Sequence, residues 1–214
     1  MNQFEINARN KVKRVPVRGA YDKKTCYEIL DAGFLCHMGF TVSGQPFVIP
    51  TLYGRDGDKI YVHGASTSRL ITEIEKGIQV CLTVTHVDGL VLARSAFHHS
   101  MNYRSVVVFG KAEEVSEEKK EIALKVISDN IIQGRWEESR LPNPKELTAT
   151  TVLEIQIDQA SSKIRTGGPI DDKEDYDLDI WAGVLPIIPT FGTPIDDKLL
   201  KENVPLSQAV SNIV

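Results

Sequence analysis

Residues 34–64 read FLCHMGFTVSGQPFVIPTLYGRDGDKIYVHG, and this stretch decides the fold. The turn signals SGQP and GRDGD divide it into short runs that are rich in β-branched, aromatic and other apolar residues. Strands that follow one another across turns this short pair in an antiparallel sense. We therefore predict three successive antiparallel strands, over residues 34–42, 46–53 and 59–63.

Further strands are predicted on the C-terminal side of this stretch. Residues 78–87 and 90–94 form two apolar runs, and residues 103–115 form a longer one in which Gly110 marks a bulge or a bend. Residues 151–165, TVLEIQIDQASSKIR, begin with alternating apolar and polar side chains, as a half-buried strand does. A succession of short strands with few parallel crossovers favours an antiparallel sheet.

Two segments have the signatures of helices. Residues 22–33 begin with Asp22 as a helix cap and end at a glycine. Residues 116–132 begin with Ser116 as the cap, and the glutamates of their first turn suit the positive end of a helix dipole. Apolar residues recur at helical spacing in this second helix and predict its buried face: Ile122, Ala123, Val126, Ile127 and Ile131.

The order of these elements predicts a mainly β fold, an antiparallel β-barrel with flanking helices. A doubly wound fold requires regular alternation of strands and helices, which the sequence lacks. Neither GxGxxG nor GxxxxGK[ST] occurs, so no cradle for a dinucleotide or a nucleoside triphosphate is indicated. We expect one domain over residues 1–190 and a C-terminal tail, residues 191–214, that packs on the domain or on a partner subunit.

The 214 residues have the composition of a globular protein, 42% hydrophobic and 25% charged. The formal net charge of −4 argues against nucleic acid or an anionic membrane as the main partner. No apolar run approaches the roughly 18 residues that span a bilayer, and the N-terminus lacks the apolar core of a signal peptide. The cysteines form no CxxC pair, so we expect reduced thiols in a cytoplasmic protein at Cys26, Cys36 and Cys81.

A cluster of hydroxyls and one arginine follows the third predicted strand, in YVHGASTSRL, residues 61–70. Hydroxyls, free backbone amides and a guanidinium at the start of a helix bind a phosphate dianion well. The candidates are Ser66, Thr67, Ser68 and Arg69. The alternative is an ordinary N-cap, because serine and threonine precede helices whatever their function.

Two strand segments have features of a ligand pocket. In Phe47–Thr51 a proline ends an apolar run, so neighbouring backbone amides are left to face the polar edge of a planar ring. The alternative is an edge strand that carries a proline. Tyr103 and Ser105 begin a strand whose remainder is apolar, where they either line a pocket or form the exposed start of the strand.

The histidines allow more than one role. His63 stands alone at a strand end, either as a packed, hydrogen-bonded residue or as a group that holds or protonates a substrate. His98 and His99 point to opposite faces of an extended chain without a cysteine or carboxylate at ligand spacing, so we expect no metal site. Trp136 and Trp181 are typical of core or interface anchors.

Four segments together resemble the pyridoxamine 5′-phosphate oxidase-like flavoproteins, and in particular the branch that includes nitroimidazole-resistance reductase-like proteins. They are PFVIPTLYGRDGDKIYVHGASTSRL, NYRSVVVFGKAEEV, LEIQIDQASSKIRTGGP and WAGVLPI. They occur in the family's order, and the resemblance runs from about Arg14 to Pro186. It implies a six-stranded antiparallel split β-barrel, a homodimer, and FMN bound at the dimer interface.

The resemblance also implies roles for individual residues. His63 corresponds to a histidine near the flavin and is the candidate catalytic residue. The phosphate-binding loop corresponds to Ser66, Thr67, Ser68 and Arg69. The strand that lies against the flavin ring corresponds to Val48, Ile49, Pro50 and Thr51. Positions that contact the ring or ribityl chain, or reach the flavin from the partner subunit, correspond to Tyr103, Ser105, Lys163 and Trp181.

Two departures separate this chain from the true pyridoxamine-phosphate oxidases: its loop has one arginine where they have an Arg-Lys pair, and it lacks their C-terminal basic motif. These departures argue against oxidation of vitamin B6. From the family resemblance and the phosphate loop beside an apolar strand, we expect an FMN-dependent oxidoreductase that uses NAD(P)H to reduce a small molecule such as a nitroaromatic compound or a quinone. One alternative is a flavin carrier or sensor without catalytic activity. Another is a haem-binding barrel, with His63, His98 or His99 as the axial ligand.

Overall fold

The computed structural model describes residues 2–74 and 77–214, without the side chains of Arg69, Leu70 and Ile74. The strands of this part are β1 Gly19–Ala20, β2 Leu35–Val42, β3 Gln45–Leu52, β4 Gly54–Asp56, β5 Lys59–Ala65, β6 Gln79–Leu92, β7 Ser100–Glu114, β8 Thr150–Gln156, β9 Gln159–Arg165 and β10 Gly183–Pro186. The α-helices are α1 Lys23–Asp31, α2 Arg69–Ile74, α3 Glu117–Ile131, α4 Pro144–Ala149 and α5 Gln208–Ser211.

The strands form one antiparallel sheet, which confirms the predicted mainly β fold with flanking helices. Their order is β3-β2-β6-β7-β8-β5-β4, with β1 and β9 paired beside β7 and β10 paired to β6. β3 and β5 approach each other without pairing, so hydrogen bonds do not close the sheet into a ring. The described residues form more strands than the six of the expected barrel, because short strands such as β1, β4 and β10 extend its edges.

The hairpin of β2 and β3 has the register that the sequence predicts. Val42 lies opposite Gln45 and Leu35 opposite Leu52, so two residues form the turn. Both turn residues, Ser43 and Gly44, have a positive φ, as the tight turns that suit twisted hairpins require.

β6 is a single strand, whereas the sequence predicted separate strands at residues 78–87 and 90–94. A register shift between Val87 and Gly89 accommodates the intervening residues as a bulge. β7 pairs with β6 on both sides of this shift, so the strand continues to Leu92.

β7 exchanges its second neighbour at Gly110. Tyr103–Phe109 pair with β9, whereas Ala112–Glu114 pair with β8. A Cβ on Gly110 would lie 2.1 Å from the carbonyl oxygen of Gln156, so glycine allows the chains to cross here. The register of β6 and β7 continues through Gly110, so this residue marks a close approach. Of the two predicted alternatives, the bulge is wrong and the bend stays a prediction.

The predicted strand over residues 151–165 is divided into β8 and β9. At the break, the backbone N–H of Ile157 donates to Asp58 and that of Asp158 donates to Phe109. These bonds turn the chain from the β5 side of the sheet to the β1 side. The alternation of Leu153, Ile155 and Ile157 with polar residues stops at Gln159, so the end of this pattern was a signal of the break that the prediction of one strand did not use.

The two predicted helices are present with their predicted caps. The Asp22 carboxylate accepts a hydrogen bond from the Thr25 backbone N–H. Ser116 occupies the N-cap position of α3, but its side chain makes no capping hydrogen bond. The predicted buried face of α3 is wrong at Ile122, which is 65% exposed. Lys120 is buried instead, because its ammonium reaches the Leu147 carbonyl and the Glu117 carboxylate. No helix of the described residues is long and apolar enough to cross a membrane.

The hydrophobic core has two parts, and the candidate residue His63 lies beside the smaller one. The larger part lies under α1 and includes Leu30, Tyr53 and Leu82. The smaller part lies between α3 and the sheet, and its buried members are Val115, Ala123, Ile127 and Val152. His63 of β5 lies next to this second part, because it is paired with Val152 of β8.

Candidate functional site

β3 lies at the edge of the sheet and carries four predicted flavin-contacting residues, Val48, Ile49, Pro50 and Thr51. Among the described strands it pairs only with β2, which places Pro50 opposite His37. Val48 is 67% exposed and Pro50 is also exposed, whereas Ile49 and Thr51 are half-buried. The strand therefore presents an exposed apolar row, which suits contact with a planar ring or with another subunit.

The predicted phosphate loop lies between β5 and α2, and most of its hydroxyls have partners inside the chain. The Ser66 hydroxyl shares a hydrogen bond of 2.9 Å with the Thr151 hydroxyl. The Ser68 hydroxyl accepts from the Ile71 backbone N–H at 3.4 Å, as an N-cap does. Thr67 is exposed, and the Arg69 side chain lies outside the described part of the structure. The ordinary cap therefore accounts for Ser68, and Thr67 and Arg69 stay candidates for phosphate.

Tyr103, Ser105 and Lys163 lie together on β7 and β9. Ser105 is opposite Lys163 in the ladder, and its hydroxyl donates to the Lys163 carbonyl oxygen at 3.3 Å. Tyr103 is opposite Arg165 at the same end of the strands. All four are at least partly buried, so these positions form a wall rather than a freely exposed strand start.

The β3 group and the β7–β9 group do not meet along the sheet. β2 and β6 lie between β3 and β7 in the order of the sheet. Trp181 precedes β10 and is 67% exposed, with its ring against Gly183. Within one chain the predicted flavin contacts thus lie on strands that are not paired with one another.

His63 lies near the end of β5, opposite Val152 of β8. Its Nδ1 atom is buried, and no described residue provides it with a hydrogen-bond partner. Burial lowers the pKa of His63 below its usual value of 6.5. The imidazole is therefore neutral at pH 7, which is the form that binds a metal ion.

An apolar cavity of about 340 Å³ opens beside His63. α3 and α4 form its walls, and the loop between them contributes Trp136 and Pro142. The complete lining is His63, Leu124, Ile127, Ser128, Ile131, Trp136, Pro142, Glu146, Leu147 and Thr150. The sequence analysis missed this cavity, although Leu124 and Ile131 continue the apolar face of α3 and Trp136 follows closely.

A capping box fixes the α4 wall of this cavity. The Asn143 side chain accepts from the backbone N–H of Glu146 at 3.0 Å, and the Glu146 carboxylate accepts from the backbone N–H of Asn143 at 2.8 Å. Arg140 donates to the same carboxylate at 2.7 Å, and this bond lowers the pKa of Glu146. The cavity therefore has an ion pair of Arg140 and Glu146 at its edge.

His98 and His99 lie away from this cavity. His99 Nδ1 accepts from the Ala93 backbone N–H at 3.0 Å. His98 Nε2 lies 3.2 Å from the Asp172 carboxylate, and these two residues group with Asp175 within 4.8 Å. Carboxylates that are distant in sequence thus approach His98, which the spacing argument did not foresee, because Asp171 binds the backbone at Arg94 and folds the acidic loop back.

Comparison with known proteins places these features in a family. The sequence profile described as pyridoxamine 5′-phosphate oxidase matches residues 22–164. The solved structure of the flavocytochrome Anf3 from Azotobacter vinelandii is 41% identical, with 97% of each chain covered and a TM-score of 0.90. The FAD and haem binding protein from Mycobacterium smegmatis is 32% identical, with 92% of this chain and 97% of that chain covered and a TM-score of 0.88.

A putative 5-nitroimidazole antibiotic resistance protein from Bacteroides thetaiotaomicron shares the fold, at 24% identity, with 68% of this chain and 86% of that chain covered and a TM-score of 0.58. The search of curated proteins gives no significant match. The profile match covers most of the chain, and the similarity to the flavocytochrome covers nearly all of it. The chain belongs to the pyridoxamine 5′-phosphate oxidase family.

Proposed function

We propose that this protein binds a flavin and acts as a flavin-dependent oxidoreductase. The observation that carries the proposal is the similarity to a flavocytochrome at 41% identity over 97% of both chains. A second relative, 32% identical, is described as binding FAD and haem. The resemblance implied FMN, whereas this relative favours FAD, and the released flavin can be identified by chromatography.

The proposed flavin contacts follow the sequence analysis. The ring lies against the exposed row of β3 that includes Val48 and Pro50, and Thr67 and Arg69 bind a phosphate. Tyr103, Ser105 and Lys163 contact the remainder of the cofactor. A bound flavin accepts a hydride and releases its electrons singly or in pairs. NAD(P)H is the proposed donor and a small nitroaromatic compound or quinone the proposed acceptor, so two electrons pass between them in each turnover.

Exposed apolar residues among the proposed contacts support a homodimer. In the proposed geometry, β3 of one copy and the wall of β7 and β9 of another contact one flavin. Val48 and Trp181 are both large apolar residues that are 67% exposed, as residues covered by a partner are. We therefore place the flavin between two copies.

Haem binding is the second proposed property, and it makes the protein a flavocytochrome. The descriptions of the flavocytochrome and of the FAD and haem binding protein support it. The apolar cavity beside a neutral histidine fits such a group, because haem needs an apolar enclosure and an axial ligand. Bound haem iron accepts and donates one electron at a time. The remaining alternative is a flavin carrier that lacks turnover.

The visible spectrum of the purified protein tests these proposals. Flavin bands and a Soret band together support the flavocytochrome. Bleaching of the flavin bands after addition of NADH or NADPH without oxygen supports the oxidoreductase, whereas persistent bands favour the carrier. A protein that takes up no flavin when it is supplied with FMN or FAD contradicts the central proposal.

The phosphate loop is tested with Arg69→Ala. We expect weaker flavin binding, because the guanidinium supplies the one positive charge of the loop. Arg14→Ala is the matched control, since Arg14 is an exposed residue of the N-terminal segment. Fluorescence titration of the apoprotein with FMN and FAD measures both variants. Equal affinities for Arg69→Ala and the parent protein would show that the loop prediction is wrong.

A further inference from the structure

Arg165 is a buried charge to which the described part of the chain offers no opposite charge. Three charged residues of that part are buried, namely Lys120, Arg165 and Asp171. Lys120 pairs with the Glu117 carboxylate, and Asp171 pairs with the Arg94 guanidinium. Arg165 is only 7% exposed, yet its hydrogen bonds go to three neutral oxygens. Because a buried charge without a counter-charge is costly, we expect an anion from a ligand to complete this site.

The segment that follows β9 fixes the Arg165 guanidinium. One terminal nitrogen donates to the Asn102 side-chain oxygen and, at 3.2 Å, to the Gly167 carbonyl. The other donates to the Gly168 carbonyl at 3.1 Å. The Asn102 amide also donates to the Gly167 carbonyl at 3.1 Å, which ties β7 to the same segment. These neutral partners orient the guanidinium and leave its positive charge uncompensated.

Two further cations lie beside Arg165. Lys163 is two residues earlier on β9, so both side chains leave the same face of the sheet. Arg18 precedes Gly19, which lies opposite Lys163 in the ladder of β1 and β9. Burial, and then the nearby charge of Arg18, lower the pKa of Arg165. Arg18 and Lys163 are half-buried, and neither has a carboxylate partner among the described residues.

A strained turn holds Arg18 in this position against the like charge of Arg165. Val15 has a φ of 53°, in the left-handed region that a β-branched residue rarely adopts. Its carbonyl accepts from the Arg18 backbone N–H at 3.0 Å, which closes the turn over Pro16–Arg18. Strained backbone is frequent at ligand sites. The N-terminal segment thus keeps Arg18 beside the end of β9 at a cost in free energy.

These three cations are separate from the phosphate loop. Arg165 pairs with Tyr103 near the start of β7, whereas the other end of β7 pairs with Leu153 of β8. The loop follows Ala65, which pairs with Thr150 at the start of β8. The two groups therefore lie at opposite ends of β7, which makes the group at Arg165 a second place for an anion.

We propose that Arg18, Lys163 and Arg165 form a second anion site, which binds a phosphate group of a dinucleotide. The inference rests on the proposed flavin-dependent oxidoreductase and adds a class of ligand to the wall of β7 and β9. Guanidinium groups match the geometry of phosphate oxygens, and three positive charges suit a phosphate better than a single carboxylate. Two ligands of such an enzyme carry a suitable phosphate: FAD has one more than FMN, and NADPH has a 2′-phosphate that NADH lacks.

The test compares four forms of the full-length protein: the parent, Arg18→Ala, Arg165→Gln and Arg14→Ala. Arg14→Ala is the matched control, because Arg14 is an exposed arginine of the same segment. Arg18→Ala leaves the hydrogen bonds of Arg165 in place, and it decides the matter if Arg165→Gln does not fold by circular dichroism. Calorimetric titration gives the affinities of the apoprotein for FMN and FAD. The same titration of the flavin-loaded protein uses NAD⁺ and NADP⁺, which cannot reduce the flavin.

We expect Arg18→Ala to lower the affinity for one phosphate-bearing ligand by about tenfold, as loss of a charge-assisted bond to phosphate should. Either FAD weakens relative to FMN, or NADP⁺ weakens relative to NAD⁺, and the pair that changes identifies the source of the phosphate. Arg165→Gln should weaken the same ligand. Arg14→Ala should resemble the parent.

Two results would overturn the site while the proposed function stands. One is a parent that binds flavin and an Arg18→Ala variant in which both affinity ratios are unchanged. The other is an equal loss in Arg14→Ala, which would show general attraction by the basic segment. If the parent binds neither FMN nor FAD, the proposed function fails, and the ratio of NADP⁺ to NAD⁺ affinity on the apoprotein still decides on the anion site.

Discussion

His63 becomes a candidate functional residue because its buried ring nitrogen has no hydrogen-bond partner among the described residues. Its Nδ1 atom has no partner among the described residues, and burial lowers its pKa. The sequence could show only that a histidine ends a strand, because the cavity walls come from α3 and α4, which begin more than 50 positions later. The position of His63 beside a cavity can therefore be seen only in the folded chain.

The first prediction concerns His63→Leu in the protein without cofactors. Leucine removes the buried nitrogen, so we expect the free energy of unfolding at pH 7 to rise by about 1 kcal/mol. Below pH 6.5 the unfolded parent gains a proton that the folded parent resists, so the parent loses stability as the pH falls. The difference between variant and parent should therefore widen towards pH 5, by up to about 1.4 kcal/mol per pH unit.

Urea unfolding at pH 5, 6 and 7 measures this difference. A gap that stays constant across this range would contradict the lowered pKa of His63. A variant less stable than the parent at pH 7 would show that the imidazole makes a favourable contact in the apoprotein.

In the phosphate loop, the sequence named the candidate residues but could not show which of their hydroxyls are available to a ligand. Ser66, Thr67 and Ser68 are equivalent in the sequence, yet the structure separates them. Ser66 bonds to Thr151, which is 85 positions away, and Ser68 caps α2. Only Thr67 is exposed among the three hydroxyls. Long-range pairing of β5 and β8 decides which hydroxyls are available, and no local pattern contains that information.

At the scale of elements, Gly110 is the position where β7 changes neighbours. The second prediction is that Gly110→Ala destabilises the fold by roughly 1–3 kcal/mol or more, because its Cβ would overlap the Gln156 carbonyl. Gly168→Ala is the matched control, since nothing lies within 4 Å of the Cβ position there. That change should alter stability by no more than about 0.5 kcal/mol.

Thermal unfolding followed by circular dichroism measures both glycine variants. Equal stabilities for the two would show that β7 and β8 can separate at the crossing without cost. The parent midpoint serves as the common reference, and the slope of the transition shows whether the unfolding remains cooperative.

Element prediction succeeded where the signal is local. The caps of α1 and α3, and the tight turn between β2 and β3, depend on a few adjacent residues and were predicted. The break between β8 and β9 depends on hydrogen bonds to Asp58 and Phe109, which are distant in sequence. Ile122 is exposed because it lies off the face of α3 that buries Lys120, Ala123 and Ile127, and stricter use of the helical period would have excluded it.

For the whole molecule, the third prediction is a homodimer that depends on the exposed row of β3. Val48→Lys should give a monomer with weakened flavin binding, because a charge at a covered apolar position opposes association. Val17→Lys is the matched control, since Val17 is 90% exposed and lies outside the proposed flavin contacts. Light scattering together with flavin titration measures both variants. A monomeric parent that still binds flavin would contradict the proposed geometry.

The fold class could be predicted for the whole chain, whereas the neighbours of each strand could not. Turn signals and strand periodicity indicated an antiparallel sheet, and the structure has one. The order β3-β2-β6-β7-β8-β5-β4 places the consecutive strands β3 and β4 at opposite ends of the sheet. This arrangement follows from packing around two cores, which a single sequence does not display.

The position of β7 also determines when the sheet can be completed during synthesis of the chain. Its first edge pairs with β6, which the ribosome has already made, but its second edge waits for residues 150–165. At about 5–20 residues per second, the interval from residue 115 to residue 165 lasts roughly 3–10 s. During that time a long strand containing Val106 and Val108 has one unpaired edge. Nascent chains should therefore be most prone to aggregate, and most dependent on chaperones, when translation pauses within this interval.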